Sequence, residues 1–235
     1  MPNATCGPPE SASRMTIRTA AALLAAGLSQ LAAAPTAQAT SLATISPGER
    51  IDYTAGDGSG SFCTTGYVYT GTNDHSYAIT AGHCHTEDGG RVIAQISRAT
   101  GYFVATVVAP ARTGGPDYGL IDFGPRVASR TATDTVAFAA TASPLTPNVG
   151  DTVCRLGVSS GTHCGAVAYT YGDDQFMTTG MPASVAGDSG GPVWITDDDG
   201  TAHIVGIWLG EKSSADNSRR YGRFASLRAA LNTLT

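Results

Sequence analysis

Along the chain, apolar positions gather into short β-favouring runs divided by turn residues. From about Ile51 onwards these are GYVYT (66–70), YAIT (77–80), VIAQI (92–96), YFVATVVA (102–109), GLIDF (119–123), TVAFA (135–139), DTVCRLG (151–157), AVAYTY (166–171), GPVWIT (191–196) and HIVGIWLG (203–210). Runs of this length at regular spacing predict an all-β barrel or sandwich. The stretch ATASPLTPNVGD (140–151) has two prolines and little periodicity, which predicts a linker between two halves. The pattern then changes period. Phe224, Leu227, Leu231 and Leu234 recur at helical spacing and predict one C-terminal α-helix docked on the body. Arg223 and Arg228 are the only basic residues of that segment, too few for a membrane-surface helix.

Composition narrows the class. The net charge is −5, only 14% of residues are charged, and no basic stripe is present, which argues against a nucleic-acid partner. The segment from Met15 to Thr40 has Arg18, an apolar stretch over 20–28, and small residues at Ala37 and Ala39. This is the layout of a secretory signal peptide, with translation expected to start at Met15 and cleavage after Ala39, and with no stable membrane anchor. Of the five cysteines, Cys6 lies in the part expected to be removed. The remaining four allow three pairings, and the local pairs Cys63–Cys84 and Cys154–Cys164 are expected in an oxidising compartment. No Cys-x-x-Cys spacing supports zinc. TDDDG (196–200) reads as a turn, since its acids lack the alternating spacing of a calcium loop.

Chemistry concentrates in SVAGDSGGPVW (184–194), where Ser189 stands between an aspartate and two glycines. Gly187 can turn its backbone N–H inward without a Cβ clash, so with the N–H of Ser189 it offers two donors to a developing oxyanion. A serine needs a base. Among five histidines, His83 in ITAGHC (79–84) ends an apolar strand beside Cys84. The imidazole needs an acceptor for its other nitrogen, and GPDYGLIDF (115–123) supplies Asp117, with Asp122 nearby. On a strand these two acids point to opposite faces, because their separation is odd. His85 and Glu87 read as solvated loop residues, because a metal shared with His83 would block its use as a base.

ITAGHC and GDSGGP (187–192), in the order His, Asp, Ser, resemble the chymotrypsin-type serine proteases. VCRLGVSSGTHCG (153–165) is similar to the matching segment of the streptogrisin-like secreted bacterial proteases. The resemblance covers roughly residues 50 to 235. It implies two antiparallel six-stranded β-barrels and a C-terminal helix: a removed segment at 1–39, a first barrel at 40–139, a linker at 140–151 and a second barrel at 152–235. It implies a catalytic Ser189, His83 and Asp117, favours Asp117 over Asp122, and gives Gly187 and Ser189 the oxyanion hole. It pairs Asp188 with Arg155, so that activity needs no free N-terminal amine. Ala183, Ser184, Trp208, Leu209, Gly210 and Glu211 would form the substrate pocket. Ala183 is not acidic, so a small or medium apolar residue before the cut is expected.

The sequence leaves open whether Trp208 narrows the pocket or packs in the core, and whether Glu211 near the pocket mouth favours a basic substrate or Arg223 does the reverse. It departs from the pattern in lacking a cysteine near the pocket and a long pro-region after Ala39. The expected protein is a monomeric secreted serine endopeptidase without metal or organic cofactor. Its partners would be protein or peptide substrates, with proteinaceous inhibitors as further candidates. Activity should fall on the acid side as the imidazole protonates. The competing readings are a binding module that cuts nothing, and an esterase or acyl transferase using the same triad.

Overall fold

The computed structural model describes residues 42–86, 90–110, 113–140 and 144–235. The expected leader at 1–39, the start at Met15 and Glu87 lie outside the described residues.

The first half is built around one antiparallel sheet. Its strands are β2 (Arg50–Thr54), β3 (Gly60–Thr64), β4 (Tyr67–Thr70), β5 (Ser76–Thr80), β6 (Arg91–Ala94), β7 (Thr100–Val108) and β8 (Asp117–Asp122), in the order β3-β2-β6-β7-β8-β5-β4. A short parallel pair, β1 (Thr44–Ile45) with β9 (Val127–Ala128), lies outside this sheet. The second half is a closed barrel. Its strands β10 (Thr152–Gly157), β11 (Gly161–Tyr171), β12 (Gln175–Thr179), β13 (Pro192–Thr196), β14 (Ala202–Ser213) and β15 (Arg220–Ser226) run in the order β10-β11-β12-β15-β14-β13. Helix α1 (Leu227–Leu234) ends the chain.

The all-β class and the terminal helix are as expected. The first half, though, has seven strands in open order, because β3 and β4 do not pair. The end of β3 is engaged elsewhere: Thr64 N–H donates to the Ser189 carbonyl at 2.8 Å. Thr64 O accepts the Thr80 hydroxyl at 2.9 Å. The gap in the sheet is therefore where the serine loop docks.

Alternation explains the strands that the apolar runs did not reveal. β2, RIDYT, buries only Ile51 and Tyr53, a period-2 pattern diluted by charged residues. TVAFA (135–139) makes only isolated bridges, Thr131 to Ala137 and Phe138 to Ala202. Phe224 belongs to β15, where it pairs with Phe176, and their rings stack at 5.0 Å. The helix begins three residues later, with the Ser226 hydroxyl accepting from Ala229 N–H as its cap. Leu227 and Ala230 are fully buried, and Arg228 donates to the Pro144 carbonyl at 2.6 Å. None of the described helices is long and apolar enough to cross a membrane.

Both expected disulfides form. Cys63–Cys84 joins the end of β3 to the turn after β5, and Cys154–Cys164 spans β10 and β11. The first closes a loop with a sequence separation of 21, worth about 3 kcal/mol in the chain-entropy model.

Candidate active site

His83 stands in a single 3-10 turn, Gly82–Cys84, directly after β5. Gly82 packs there against the backbone of Tyr118, where a Cβ would collide. The Cys84 disulfide holds the other side. Asp117 opens β8 next door and is 6% exposed. It accepts two hydrogen bonds from His83, from the backbone N–H to Oδ1 at 2.9 Å and from Nδ1 to Oδ2 at 2.9 Å. An ionised carboxylate can only accept, so Nδ1 carries a proton, and in the neutral imidazole Nε2 is then the acceptor. Asp122, the other candidate, binds His75 Nδ1 at the far end of β8 instead.

Burial alone would raise the Asp117 pKa. The hydrogen bonds and charge of His83, with the charge of Arg223, outweigh that and hold it below its ordinary 3.8. The ionised carboxylate is thus stabilised in the folded state. Its contribution is fully present above about pH 3.8 and is lost as pH falls through the lower folded value. Asp117→Asn should therefore flatten the acid limb of the stability curve. Urea unfolding of both proteins at pH 6 and pH 3 measures this, and an equally steep acid loss in the variant would contradict the assignment.

Ser189 lies half-buried in the loop between Ser184 and Gly191. Gly187 and Gly190 have φ of +96° and +89°, conformations that side chains rarely adopt. A Cβ on Gly190 would also strike the Thr80 hydroxyl and the Thr64 carbonyl. Several of the loop's N–H groups are engaged, Val185 N–H by the Asp188 carboxylate. Those of Asp188, Gly190 and Gly191 donate to Val185 O, Trp208 O and Asp188 O. Those of Gly187 and Ser189 donate to no acceptor among the described residues.

Asp188 anchors the loop and is completely buried. Arg155 Nη1 stands 3.2 Å from its Oδ2. It also accepts from Ser159 N–H, Ser160 N–H, Ser160 Oγ and Val185 N–H at 2.7 to 3.1 Å. The expected Arg155 partnership is therefore present, and the sequence reading missed the four further donors. Burial draws the Arg155 pKa down against the raising effect of Asp188 and Glu211. Its guanidinium stacks 4.5 Å from the centre of the Trp208 ring.

Thr64 was also missed. Besides its bond to Ser189, its hydroxyl donates to Gly187 O at 2.7 Å and accepts Val158 N–H at 3.1 Å. A bonded path thus runs from the serine loop through Thr64 and the Cys63–Cys84 disulfide to the residue next to His83. The only sequence signal was the position of Thr64 beside a cysteine in FCTTG.

No family model matches the chain. Two proteins of Mycobacterium tuberculosis, the uncharacterized Rv1815 and MT1863, are each 33% identical over 159 residues, which is 62% of this chain. The chain spans 66% of the length of these relatives. Solved structures are similar over most of the chain. Nocardiopsis protease (NAPase) has a TM-score of 0.58 and 22% identity, covering 81% of this chain and 96% of its own. Thermobifida fusca protease A has 0.54 and 23%, covering 82% and 94%. Cellulomonas bogoriensis chymotrypsin has 0.53 and 24%, covering 81% and 93%. The fold is that of the chymotrypsin-like bacterial serine proteases.

Within this chymotrypsin-like frame the expected pocket residues separate. Trp208 is 1% exposed. It packs inside the second barrel, under Arg155 and beside Phe224, and its Nε1 donates to Ser184 Oγ at 3.0 Å. Ala183 is exposed and Ser184 half-buried. Glu211 pairs with Arg220 at 3.3 Å, and Gly210 has φ of +103°. Leu209 lines a cleft of about 590 Å³ together with His83, Val108, Ala109, Pro110, Asp117 and Arg223. His85 departs from the expected solvated role. It stacks on Phe103 at 4.6 Å and meets Tyr53 edge-on at 5.2 Å, because aromatic side chains from β2 and β7 close over it. No group of three or more His, Cys, Asp or Glu side chains among the described residues is arranged to hold a metal.

Proposed function

We propose that this chain is a secreted serine endopeptidase. The observation that carries the reading is a pair of settings linked through Thr64 and the Cys63–Cys84 disulfide. His83 Nδ1 is held by a buried, ionised Asp117, and the N–H groups of Gly187 and Ser189 are unspent. The two disulfides support an oxidising, extracellular location.

In this reading Ser189 Oγ attacks the scissile carbonyl carbon while His83 Nε2 takes the hydroxyl proton. Asp117 keeps the ring in the required tautomer and offsets the charge of the imidazolium. The carbonyl oxygen, now negative, accepts hydrogen bonds from Gly187 and Ser189 N–H. His83 passes the proton to the departing amine as the C–N bond breaks, leaving an ester on Ser189. Water, deprotonated by the same Nε2, then cleaves that ester and returns the hydroxyl.

Proteins or peptides are the substrates this geometry fits. Turnover of a denatured protein and of an activated ester, measured side by side, tests the proposal. Hydrolysis of both is expected. Ester turnover with intact peptide bonds would favour the acyl-transfer alternative, and neither activity in a folded, disulfide-bonded sample would favour a binding module.

A further inference from the structure

Arg223 is 8% exposed, and its surroundings do not account for its charge. Its Nε is buried without a hydrogen-bond partner. Its guanidinium has one acidic oxygen within 4.0 Å among the described residues, Asp117 Oδ2, at 4.0 Å from Nη2, which is beyond hydrogen-bonding distance. Both Asp117 oxygens are already engaged by His83. On β14 the residue paired with Arg223 is Gly210, which has no side chain, and on β12 it is Met177, which offers no carboxylate. The side chain lines the cleft that also exposes His83. Its other walls, Val108, Ala109, Pro110 and Leu209, are apolar.

A guanidinium carries five donors in a planar fork that matches a carboxylate. A buried Nε–H with no acceptor is costly, unless the cleft is completed by an anion when occupied. We propose that Arg223 receives a carboxylate of the substrate, so that the protein selects peptides with an acidic group close to the scissile bond. This rests on the proposed peptidase reading for its location beside His83. Two sources share the chemistry: an aspartate or glutamate side chain, and the α-carboxylate of a chain end. The groups facing the site are His83 and Asp117. Asp117 repels an incoming anion, but its charge is met by the hydrogen bonds from His83.

The test uses the full chain carrying Ser189→Ala, so that binding is read without cleavage. Hexapeptides with glutamate or glutamine walked through each position, ending in a free acid or an amide, are titrated by calorimetry. One placement of the carboxylate should bind about ten- to a hundredfold tighter than its amide counterpart, the range for a charge-assisted bidentate contact. Arg223→Gln in the same background should bring that ratio to about one, and Arg223→Lys should restore part of it. An advantage for an internal glutamate assigns the side-chain source; one confined to the free C-terminus assigns the chain end. Equal binding of acid and amide forms at every position, or of neither, would overturn the proposal with Arg223 intact, whatever the variants do. So would a preference that survives in a folded Arg223→Gln protein. Cleavage of glutamine and glutamate peptides at equal rates by the parent protein would remove the carboxylate site and leave the peptidase standing. Acid-selective binding without any cleavage would do the reverse.

Discussion

Replacing Ser189 with alanine is expected to lower peptide turnover by about a millionfold, and His83→Ala by a similar factor, with the double variant hardly worse than either. The reason is that the two side chains act in one step. Without the hydroxyl there is no nucleophile for the imidazole to deprotonate. Without the imidazole the hydroxyl remains a poor nucleophile at neutral pH. What survives in each variant is positioning, together with the oxyanion donors of Gly187 and Ser189, and these belong to the backbone. Asp117→Asn should lose less, about ten-thousandfold, because the ring stays in place while an amide no longer enforces a proton on Nδ1. Initial rates at saturating peptide for the four variants measure this. Losses that multiply in the double variant would mean that Ser189 and His83 act independently.

Asp188→Ala should destabilise the fold by about 3–5 kcal/mol, the range for breaking a buried ion pair from one side. Arg155→Ala should destabilise it less. The asymmetry follows from what each variant leaves behind. Asp188 without Arg155 still accepts from two serine N–H groups, one serine hydroxyl and Val185 N–H. Arg155 without Asp188 retains the Ser160 hydroxyl, at 2.9 Å, and the face of Trp208. Its Nε and Nη2 are already without partners, and four further donors lose their acceptor at once. Activity should fall in both variants, since Asp188 adjoins the Ser189 N–H and the serine loop is moored through it. Chemical denaturation of the three proteins gives the order, and a larger loss in Arg155→Ala than in Asp188→Ala would contradict this account.

Much of this was readable from short motifs. ITAGHC placed His83 at a strand end beside a cysteine, and GDSGGP placed glycines at the two positions of the serine loop that adopt positive φ. Those signals are local, because a turn, a disulfide and a strand terminus are set within a few residues. Asp117 and Asp122, at the two ends of β8, bind different histidines. What was not readable depends on neighbours distant in sequence. Thr64 meets Gly187, with a separation of 123 residues, and nothing in FCTTG marks it. Arg223 was legible as one of two charged residues competing for the pocket mouth, and only β15 carried it into the cleft with His83. Phe224 matched the helical spacing by coincidence, since a strand residue three positions before a helix satisfies the same periodicity. The open first sheet had no sequence signal, because it arises from a β3 edge bonded to the serine loop.

The most direct measurement is the site of a fluorophosphonate adduct. The folded protein and its Ser189→Ala variant are treated with the probe, digested and read by mass spectrometry. A single adduct on Ser189, absent from the variant, is the predicted result, because only a hydroxyl activated by a nearby base reacts with this reagent. An unlabelled Ser189 in a folded, disulfide-bonded sample, or equal labelling of the alanine variant, would contradict the account.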